Sequence, residues 1–340
     1  MTTVAATTDL AVATHGLVRD YGQGAGLHGI DLAVRRHEVY GLIGPNGAGK
    51  TTLLSILAGL RRVDAGRVEL NVAAGRIAMC PDTPEFEPWL TASEVVRQSR
   101  GLARFNTGNV VVRPNATFPA RDVLDPSPGA DLDHHNDPIA AVLEQVGLAD
   151  AANRRVGGFS RGMKQRLSIA AALTLDPDLL ILDEPSSALD PAGRAELFQL
   201  IAELAASRTV IFSSHILDDV QRVASSVGVL DRGRLLFQGP TQTLIDSYLR
   251  PSWTIRVRGH ADSLVRQLRE LSWVTHVELL ADQSVEVEAI SAETGERELP
   301  RAFAAADVAL VSMNPLDATL EAAFLALTSG GAGDEHGAGT

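Results

Sequence analysis

The hydrophobic positions change their spacing several times along the first part of the chain. Apolar residues cluster over Ala11–Leu17, Gly29–Val34 and Val39–Ile43, which predicts three strands. After Lys50 the apolar positions take helical spacing at Leu53, Leu54, Ile56, Leu57 and Leu60. A strand, a glycine-rich turn and a helix follow one another here, and this order is the context that a phosphate-binding loop requires.

A second series of elements follows further along the chain. Helical spacing returns over Ile139–Val146 and Met163–Leu175. The short apolar runs Leu179–Leu182 and Thr209–Ser213 are bounded by turn residues, which is typical of buried strands. The stretch to Gly239 completes an α/β domain. Residues 104–137 interrupt this pattern with prolines and scattered Asp, Asn and Gly, so we predict a mostly irregular insert there.

From Trp253 on, the pattern is that of a small separate unit. Its order of strand, helix, two strands, helix and strand is a split βαβ pattern. The predicted elements are Trp253–Val257, Ala261–Leu271, Val274–Leu280, Ser284–Ala289, Glu296–Ala305 and Val308–Ser312, followed by a final helix over Asp317–Thr328.

We therefore predict an α/β domain followed by a small ferredoxin-like α+β domain. The predicted bounds are a lead-in over residues 1–9, the large domain over 10–250, the small domain over 251–329 and a disordered tail over 330–340. A helical subdomain is expected over about residues 84–176 of the large domain, with the irregular insert inside it.

Composition narrows the choice of function. The 340 residues carry a formal charge of −12, which argues against nucleic acid as a partner, because broad phosphate binding needs clustered Lys and Arg. The single cysteine, Cys80, cannot form an internal disulfide. No apolar run reaches the length of a membrane span, so we expect a chain that works at a membrane only by docking onto a partner that crosses it.

The loop after Val39–Ile43 matches the phosphate-binding pattern G-x-x-x-x-G-K-[ST] in full. Its glycines let successive backbone N–H groups face phosphate oxygens, and the next helix presents its positive end to the same anion. Lys50 supplies a charge for the terminal phosphates, and the hydroxyl of Thr51 suits Mg²⁺. The predicted nucleotide-binding residues are Gly44, Pro45, Asn46, Gly47, Ala48, Gly49, Lys50, Thr51 and Thr52.

Two carboxylates follow the predicted strand Leu179–Leu182. A carboxylate at the end of a buried strand can hold the Mg²⁺ shell, and we assign this role to Asp183. Glu184 comes one residue later, where it can act as general base on an attacking water. Paired with the glycine loop, these residues predict hydrolysis of a nucleoside triphosphate, and the loop alone fits many such enzymes.

Between these two motifs lies the segment Phe159–Arg166, which reads FSRGMKQR. This segment resembles the L-S-G-G-Q signature of ABC (ATP-binding cassette) ATPases, and so does its spacing to Asp183. The resemblance extends over about residues 10–247 and is greatest to cassettes of the ABC-2 export branch. It implies that Ser160, Gly162 and Met163 contact a nucleotide bound to a second cassette.

The resemblance also implies roles for residues outside the two motifs. Asp190, in Ser187-Ala188-Leu189-Asp190, matches the D-loop that crosses to the partner cassette. His215 resembles the switch histidine at the γ-phosphate, and Tyr21 the aromatic residue that stacks on adenine. Asp82 stands where the family has its Q-loop glutamine, and the resemblance makes it a third candidate for the Mg²⁺ shell. Arg161 replaces the first glycine of the signature.

The resemblance implies an active ATPase subunit of an exporter, with ATP and Mg²⁺ as cofactors. Its partners would be a second cassette, as a head-to-tail homodimer, and a separately encoded ABC-2 type permease, at the inner face of the cell membrane. Two other interpretations stay open at this point. One is an ABC ATPase that acts on ribosomes or nucleic acid, and the other is a regulatory protein that holds ATP without turnover.

Overall fold

The computed structural model describes residues 9–73, 75–105, 110–111, 137–187, 189–248, 250–259, 261–306, 308–316 and 319–330. These residues divide into two compact units, Met1–Pro240 and Thr241–Thr340. The second unit thus starts ahead of the boundary that the sequence predicts after residue 250. Most of the predicted lead-in, insert and tail lies outside the described residues.

A mostly parallel sheet forms the centre of the first unit. Its strands, in order across the sheet, are β11 (Arg234–Pro240), β10 (Ser226–Asp231), β4 (Val39–Ile43), β9 (Thr209–Ser214), β8 (Leu179–Leu182), β6 (Ile77–Cys80) and β7 (Val110–Val111). Only the β10–β11 pair is antiparallel. β4, β6, β8 and β9 are buried along their whole length, which explains their nearly continuous apolar sequences. β7 places two residues of the predicted irregular insert at the sheet edge.

An antiparallel sheet forms a second layer of the first unit. In it, β1 (Leu10–Gly22) pairs with β2 (Ala25–Ile30), β3 (Ala33–Arg35) and β5 (Ala65–Leu70). The prediction of one strand over Gly29–Val34 is wrong, because the strand is interrupted between Ile30 and Ala33. At the break, the Thr14 hydroxyl donates to the Ile30 carbonyl and accepts from the Leu32 N–H, each at 2.8 Å.

Helices surround the two sheets. α1 (Lys50–Leu57) buries Leu53, Leu54 and Leu57 in a core shared with strands of both sheets. α2 (Ala92–Phe105), α3 (Pro138–Gln145) and α4 (Arg161–Leu173) contact one another and form the helical part of the unit. α5 (Pro191–Ala205) packs on β9 and β4, and so does α6 (Leu217–Val223).

The second unit is built on the predicted split βαβ pattern. Its antiparallel strands lie in the order β13 (Val274–Leu279), β14 (Val285–Ala289), β12 (Ser252–Arg258) and β15 (Ala309–Pro315). α8 (Ala261–Arg269) and α9 (Ala292–Ala305) share a core with these strands, and α7 (Thr241–Tyr248) contacts α10 (Leu320–Gly330). This arrangement confirms the predicted fold class.

Among the described residues, no helix is both long enough and apolar enough to span a membrane.

Candidate functional site

The predicted phosphate loop joins β4 to α1. Gly47 and Gly49 have φ of 82° and 106°, in the left-handed region that side chains with a Cβ rarely adopt. A Cβ on Gly49 would lie 2.7 Å from Leu27 Cδ2, so packing as well as backbone geometry requires glycine there. The loop therefore has the tight turn that the motif predicts, directly before the N-terminus of a helix.

Lys50 is the first residue of α1, and its side chain is only 7% exposed. Its Nζ donates to the carbonyl oxygen of Gly44 at 2.7 Å and lies 3.3 Å from Glu184 Oε1. The charge of this buried ammonium group is thus balanced by the loop's own carbonyl group and by a carboxylate from the end of β8.

Asp183 is buried directly after β8. The Ser213 hydroxyl donates to Asp183 Oδ1 at 2.7 Å. Burial raises the pKa of Asp183, and the nearby charges of Glu184 and Asp82 raise it further, while hydrogen bonds from Ser213 and Thr51 partly offset these effects. Thr51 and Asp183, both predicted at the metal, therefore lie within hydrogen-bonding reach of each other, with Asp183 buried and Thr51 exposed.

Glu184 is held in place from three directions. Its backbone N–H donates to Ser213 Oγ at 2.8 Å, and its Oε2 lies 2.7 Å from His215 Nδ1. Its Oε1 faces Lys50. The φ of Glu184 is 45°, a left-handed conformation that is uncommon for a residue with a side chain. The structure thus brings together the two residues that the sequence predicts as catalytic, Glu184 and His215.

Asp82 lies close to this group and has a partner of its own. Its Oδ1 accepts a hydrogen bond from the Ser187 hydroxyl at 2.6 Å. Its negative charge contributes to the raised pKa of Asp183. The described residues contain no group of three or more His, Cys, Asp or Glu side chains arranged to hold a metal ion.

Tyr21 lies at the end of β1, and its side chain is 45% exposed. Arg61 Nη1 donates to the Tyr21 hydroxyl at 3.0 Å, and the Arg19 guanidinium carbon lies 5.0 Å from the ring centroid. Partial burial would raise the pKa of Tyr21, but hydrogen bonds with Arg19, Thr52 and Arg61 outweigh it and lower the pKa. Tyr21 is thus joined to Thr52, which follows the phosphate loop.

The signature residues lie at the start of α4. Ser160 is the N-cap of this helix, and its hydroxyl accepts from the Met163 N–H at 3.2 Å. A Cβ on Gly162 would lie 2.6 Å from Leu189 Cδ2, so a larger residue there would require the Leu189 side chain to move. Asp190 caps α5 by accepting from the Gly193 N–H at 2.8 Å. Sequence reasoning missed both capping roles, although Ser and Asp are common N-cap residues.

A cavity of about 380 Å³ lies beside the signature. Ser160, Gly162, Met163 and Asp190 all line it, whereas no residue of the loop Gly44–Thr51 does. Within one chain, the predicted nucleotide-binding residues therefore fall into two separate places.

Ser213 is a residue of the candidate site that sequence reasoning missed. Its hydroxyl connects Asp183 to the backbone of Glu184, and it is fully buried in β9. Its place two residues before His215 was the only sequence signal for this role.

Residues 27–187 match the family model described as ABC transporter. The chain is 35% identical over 246 residues to the uncharacterized ABC transporter ATP-binding protein YxlF of Bacillus subtilis, covering 71% of this chain and 75% of that protein. This chain belongs to the ABC transporter ATP-binding proteins. Its first unit is an ATP-binding cassette of a family of ATPases coupled to transport, as predicted.

Two further comparisons agree with this assignment. The daunorubicin/doxorubicin resistance ATP-binding protein DrrA of Streptomyces peucetius is 33% identical over 251 residues, which cover 74% of this chain and 71% of that protein. The structure of cbiO1 from Clostridium perfringens, part of the ABC transporter complex cbiONQ, matches with a TM-score of 0.56 at 24% identity. The match covers 70% of this chain and 91% of that one. The structural match shows the shared cassette fold.

Proposed function

We propose that this cassette hydrolyses ATP between two copies of the chain and thereby drives a separate membrane permease that exports its substrate. The observation that carries the proposal is the placement of Glu184. This carboxylate lies between the lysine of the phosphate loop and His215, and the Ser213 hydroxyl fixes its backbone.

The contacts of Glu184 suit a general base. In the proposed reaction, a water oxygen attacks the γ-phosphorus of ATP, and the bond to the bridging oxygen of ADP breaks. The Glu184 carboxylate takes the proton of that water, while His215 and Ser213 keep the carboxylate oriented. Before ATP binds, the Lys50 ammonium group forms an ion pair with Glu184. When ATP binds, the ammonium group leaves Glu184 and binds the terminal phosphates.

The residues around Asp183 fit a Mg²⁺ ion. Burial raises the pKa of the Asp183 carboxyl group, and a nearby cation would favour its ionised form. The Thr51 hydroxyl, which bonds Asp183, would be a second ligand. We assign the ion to Thr51 and Asp183, with Asp82 contributing from the position where its carboxylate also holds Ser187. When bound, Mg²⁺ would neutralise charge on the phosphate oxygens.

The cavity beside the signature supports a head-to-tail homodimer. Ser160, Gly162, Met163 and Asp190 line it away from the phosphate loop of their own chain, so their proposed contacts are with ATP on a second copy. Closing such a dimer on ATP and reopening it after hydrolysis is a population shift between two states. That shift is the motion the permease would use.

A groove of about 630 Å³ is the proposed docking place for the permease. It is lined by the segment from Asp82 to Pro88 and by Arg161, Lys164, Gln165 and Ser187. Gln165 is 4% exposed, and its Nε2 has no hydrogen-bond partner among the described residues. Because Asp82 borders both this groove and Asp183, the groove is joined to the nucleotide site.

Export is inferred from relatives, and the ABC-2 type of permease from the resemblance of the sequence. DrrA carries drug resistance in its name, and drug resistance through an ATP-binding protein is consistent with outward transport. We therefore place the cassette at the inner face of the cell membrane, bound to a permease that a separate gene encodes.

The test compares the wild type with Glu184→Gln in ATPase assays and in size-exclusion chromatography with ATP. We expect ATP binding to persist, turnover to fall about 10²–10⁴-fold through loss of the general base, and ATP to shift the variant to a dimer. Glu144→Gln, an exposed change on α3, is the control and should match the wild type. Wild-type turnover in Glu184→Gln would remove Glu184 from the mechanism, and a monomer with bound ATP would contradict the dimer.

A further inference from the structure

Two arginines line the cavity beside the signature, and they differ in their surroundings. Arg166 on α4 forms an ion pair with Glu196 of α5. Arg154, which precedes Ser160 in the chain, is exposed and has no carboxylate within 4.0 Å of its guanidinium group among the described residues. Arg154 therefore brings into this cavity a positive charge that forms no ion pair among the described residues.

The position of Arg154 is fixed by its neighbours. Its guanidinium carbon lies 5.7 Å from the ring centroid of Phe159, the buried residue next to Ser160. Its backbone N–H donates to the Ala151 carbonyl at 2.9 Å, and its carbonyl accepts from the Ala92 N–H at 3.3 Å. The hydrogen bonds fix the backbone of Arg154, and the contact with Phe159 places its charge against the residue that leads into the signature.

Apart from Arg154, the described lining of the cavity has little positive charge to attract an anion. Asp150 lines it as well, and Asp190 is engaged as the cap of α5. Ser160 supplies only a hydroxyl group, which already accepts from the Met163 N–H. A polyphosphate brought to this wall would therefore find Arg154 as the one unpaired cation among the described residues lining it.

We propose that Arg154 binds the triphosphate of an ATP molecule held on the phosphate loop of a second copy of this chain. The inference rests on the proposed head-to-tail dimer and adds to it a cation that acts across the interface. A guanidinium group suits this role because it stays charged and donates two parallel hydrogen bonds to phosphate oxygens. ATP bound to one chain then contacts a charged side chain of the other chain.

The first measurement is ATPase activity of Arg154→Gln beside Arg155→Gln. Both changes remove one positive charge from neighbouring exposed positions, but Arg155 does not line the cavity. We expect Arg154→Gln to lower kcat/KM about ten- to a hundredfold, the range for loss of a charge-assisted hydrogen bond. Arg155→Gln should match the wild type, and both variants should keep the wild-type Tm. Wild-type activity in Arg154→Gln would overturn the proposal.

The second measurement asks whether Arg154 acts across the interface, by mixing full-length variants of low activity. A mixed dimer of Arg154→Gln and Lys50→Ala has one site in which the phosphate loop and the opposite Arg154 are both intact. Half of the dimers in an equal mixture are mixed, so we expect about one quarter of the wild-type activity to return. Ser160→Asp mixed with Lys50→Ala tests the split site itself, because Asp keeps the cap of α4 while its charge repels phosphate.

The two mixtures separate the possible failures. Rescue of both supports the role of Arg154 across the interface. Rescue of the Ser160→Asp mixture alone would show that the site is shared but that Arg154 acts within its own chain, which overturns the inference. Rescue of neither would overturn the shared site and the inference with it.

Discussion

Removing the Ser213 hydroxyl should disrupt the catalytic group without touching a predicted catalytic residue. The hydroxyl donates to Asp183 Oδ1 at 2.7 Å and accepts from the Glu184 N–H at 2.8 Å, in a side chain with 0% exposure. Ser213→Ala leaves a buried carboxylate short of a donor and a backbone N–H without its acceptor. Glu184 has an uncommon left-handed φ of 45°, and without the Ser213 hydroxyl fewer contacts hold it in that conformation.

The magnitude follows from these two contacts. A hydrogen bond to a charged group contributes about 1.5–3 kcal/mol, and a buried donor left unpaired costs about 1–3 kcal/mol. Since the two losses share one atom and are not additive, we expect Ser213→Ala to lower the free energy of unfolding by about 2–4 kcal/mol. The matched control is Ser214→Ala. Ser214 is equally buried, but its hydroxyl bonds only the backbone of Ile216, at 3.0 and 3.2 Å, so about 1 kcal/mol is expected.

Urea unfolding across a range of pH tests this reasoning. The Ser213 donor stabilises the ionised form of Asp183, so its loss is fully felt where Asp183 is ionised. The difference between variant and wild type should shrink as the pH falls through the pKa of Asp183, which burial raises above its ordinary value. Equal losses of stability in Ser213→Ala and Ser214→Ala, with no dependence on pH, would refute the role given to the Ser213 hydroxyl.

Three further changes test the nucleotide site. Lys50→Ala should weaken ATP binding itself, because the buried ammonium group is lost from the phosphate loop, and unchanged affinity in a nucleotide titration would contradict its assignment. Tyr21→Ala should weaken ATP binding but leave the binding of tripolyphosphate, which has no base, unchanged; equal losses for both ligands would place Tyr21 outside the base site. Asp82→Ala should impair permease-stimulated ATPase activity more than basal activity, since Asp82 borders both the groove and Asp183; equal losses would place it in the chemistry.

The phosphate loop and its carboxylates could be predicted because their signals are local in the sequence. The pattern Gly44–Thr51 follows a strand and precedes a helix, and the structure reproduces this order as β4, loop and α1. Asp183 and Glu184 follow β8 for the same reason, since a short apolar run ends at turn residues. Parallel strands place their carboxyl ends at one edge of a sheet, so β4, β8 and β9 bring Lys50, Glu184 and His215 together.

The features that sequence reasoning missed depend on contacts between distant residues. Thr14 breaks the predicted strand Gly29–Val34 through hydrogen bonds across 16 and 18 positions. The bonds of Ser213 to Asp183 and Glu184 cross 30 and 29 positions. No periodicity within a strand records such partners, because the hydroxyl of a buried serine looks the same in a sequence whether it bonds its own turn or a neighbouring strand. β7 was missed because two residues are too few to show a pattern.

The ion pair between Lys50 and Glu184 occupies the proposed general base until ATP binds. At 3.3 Å, in a site where the lysine is 7% exposed, the ammonium group occupies Oε1 of the carboxylate. Phosphate oxygens compete for the same ammonium group, and once they take it, Glu184 keeps His215 and Ser213 as partners but loses its counter-charge. Oε1, released from Lys50, is then open to the attacking water. ATP would therefore prepare the base that hydrolyses it, and the ordered contacts of Ser213 and His215 keep Glu184 in place during the exchange.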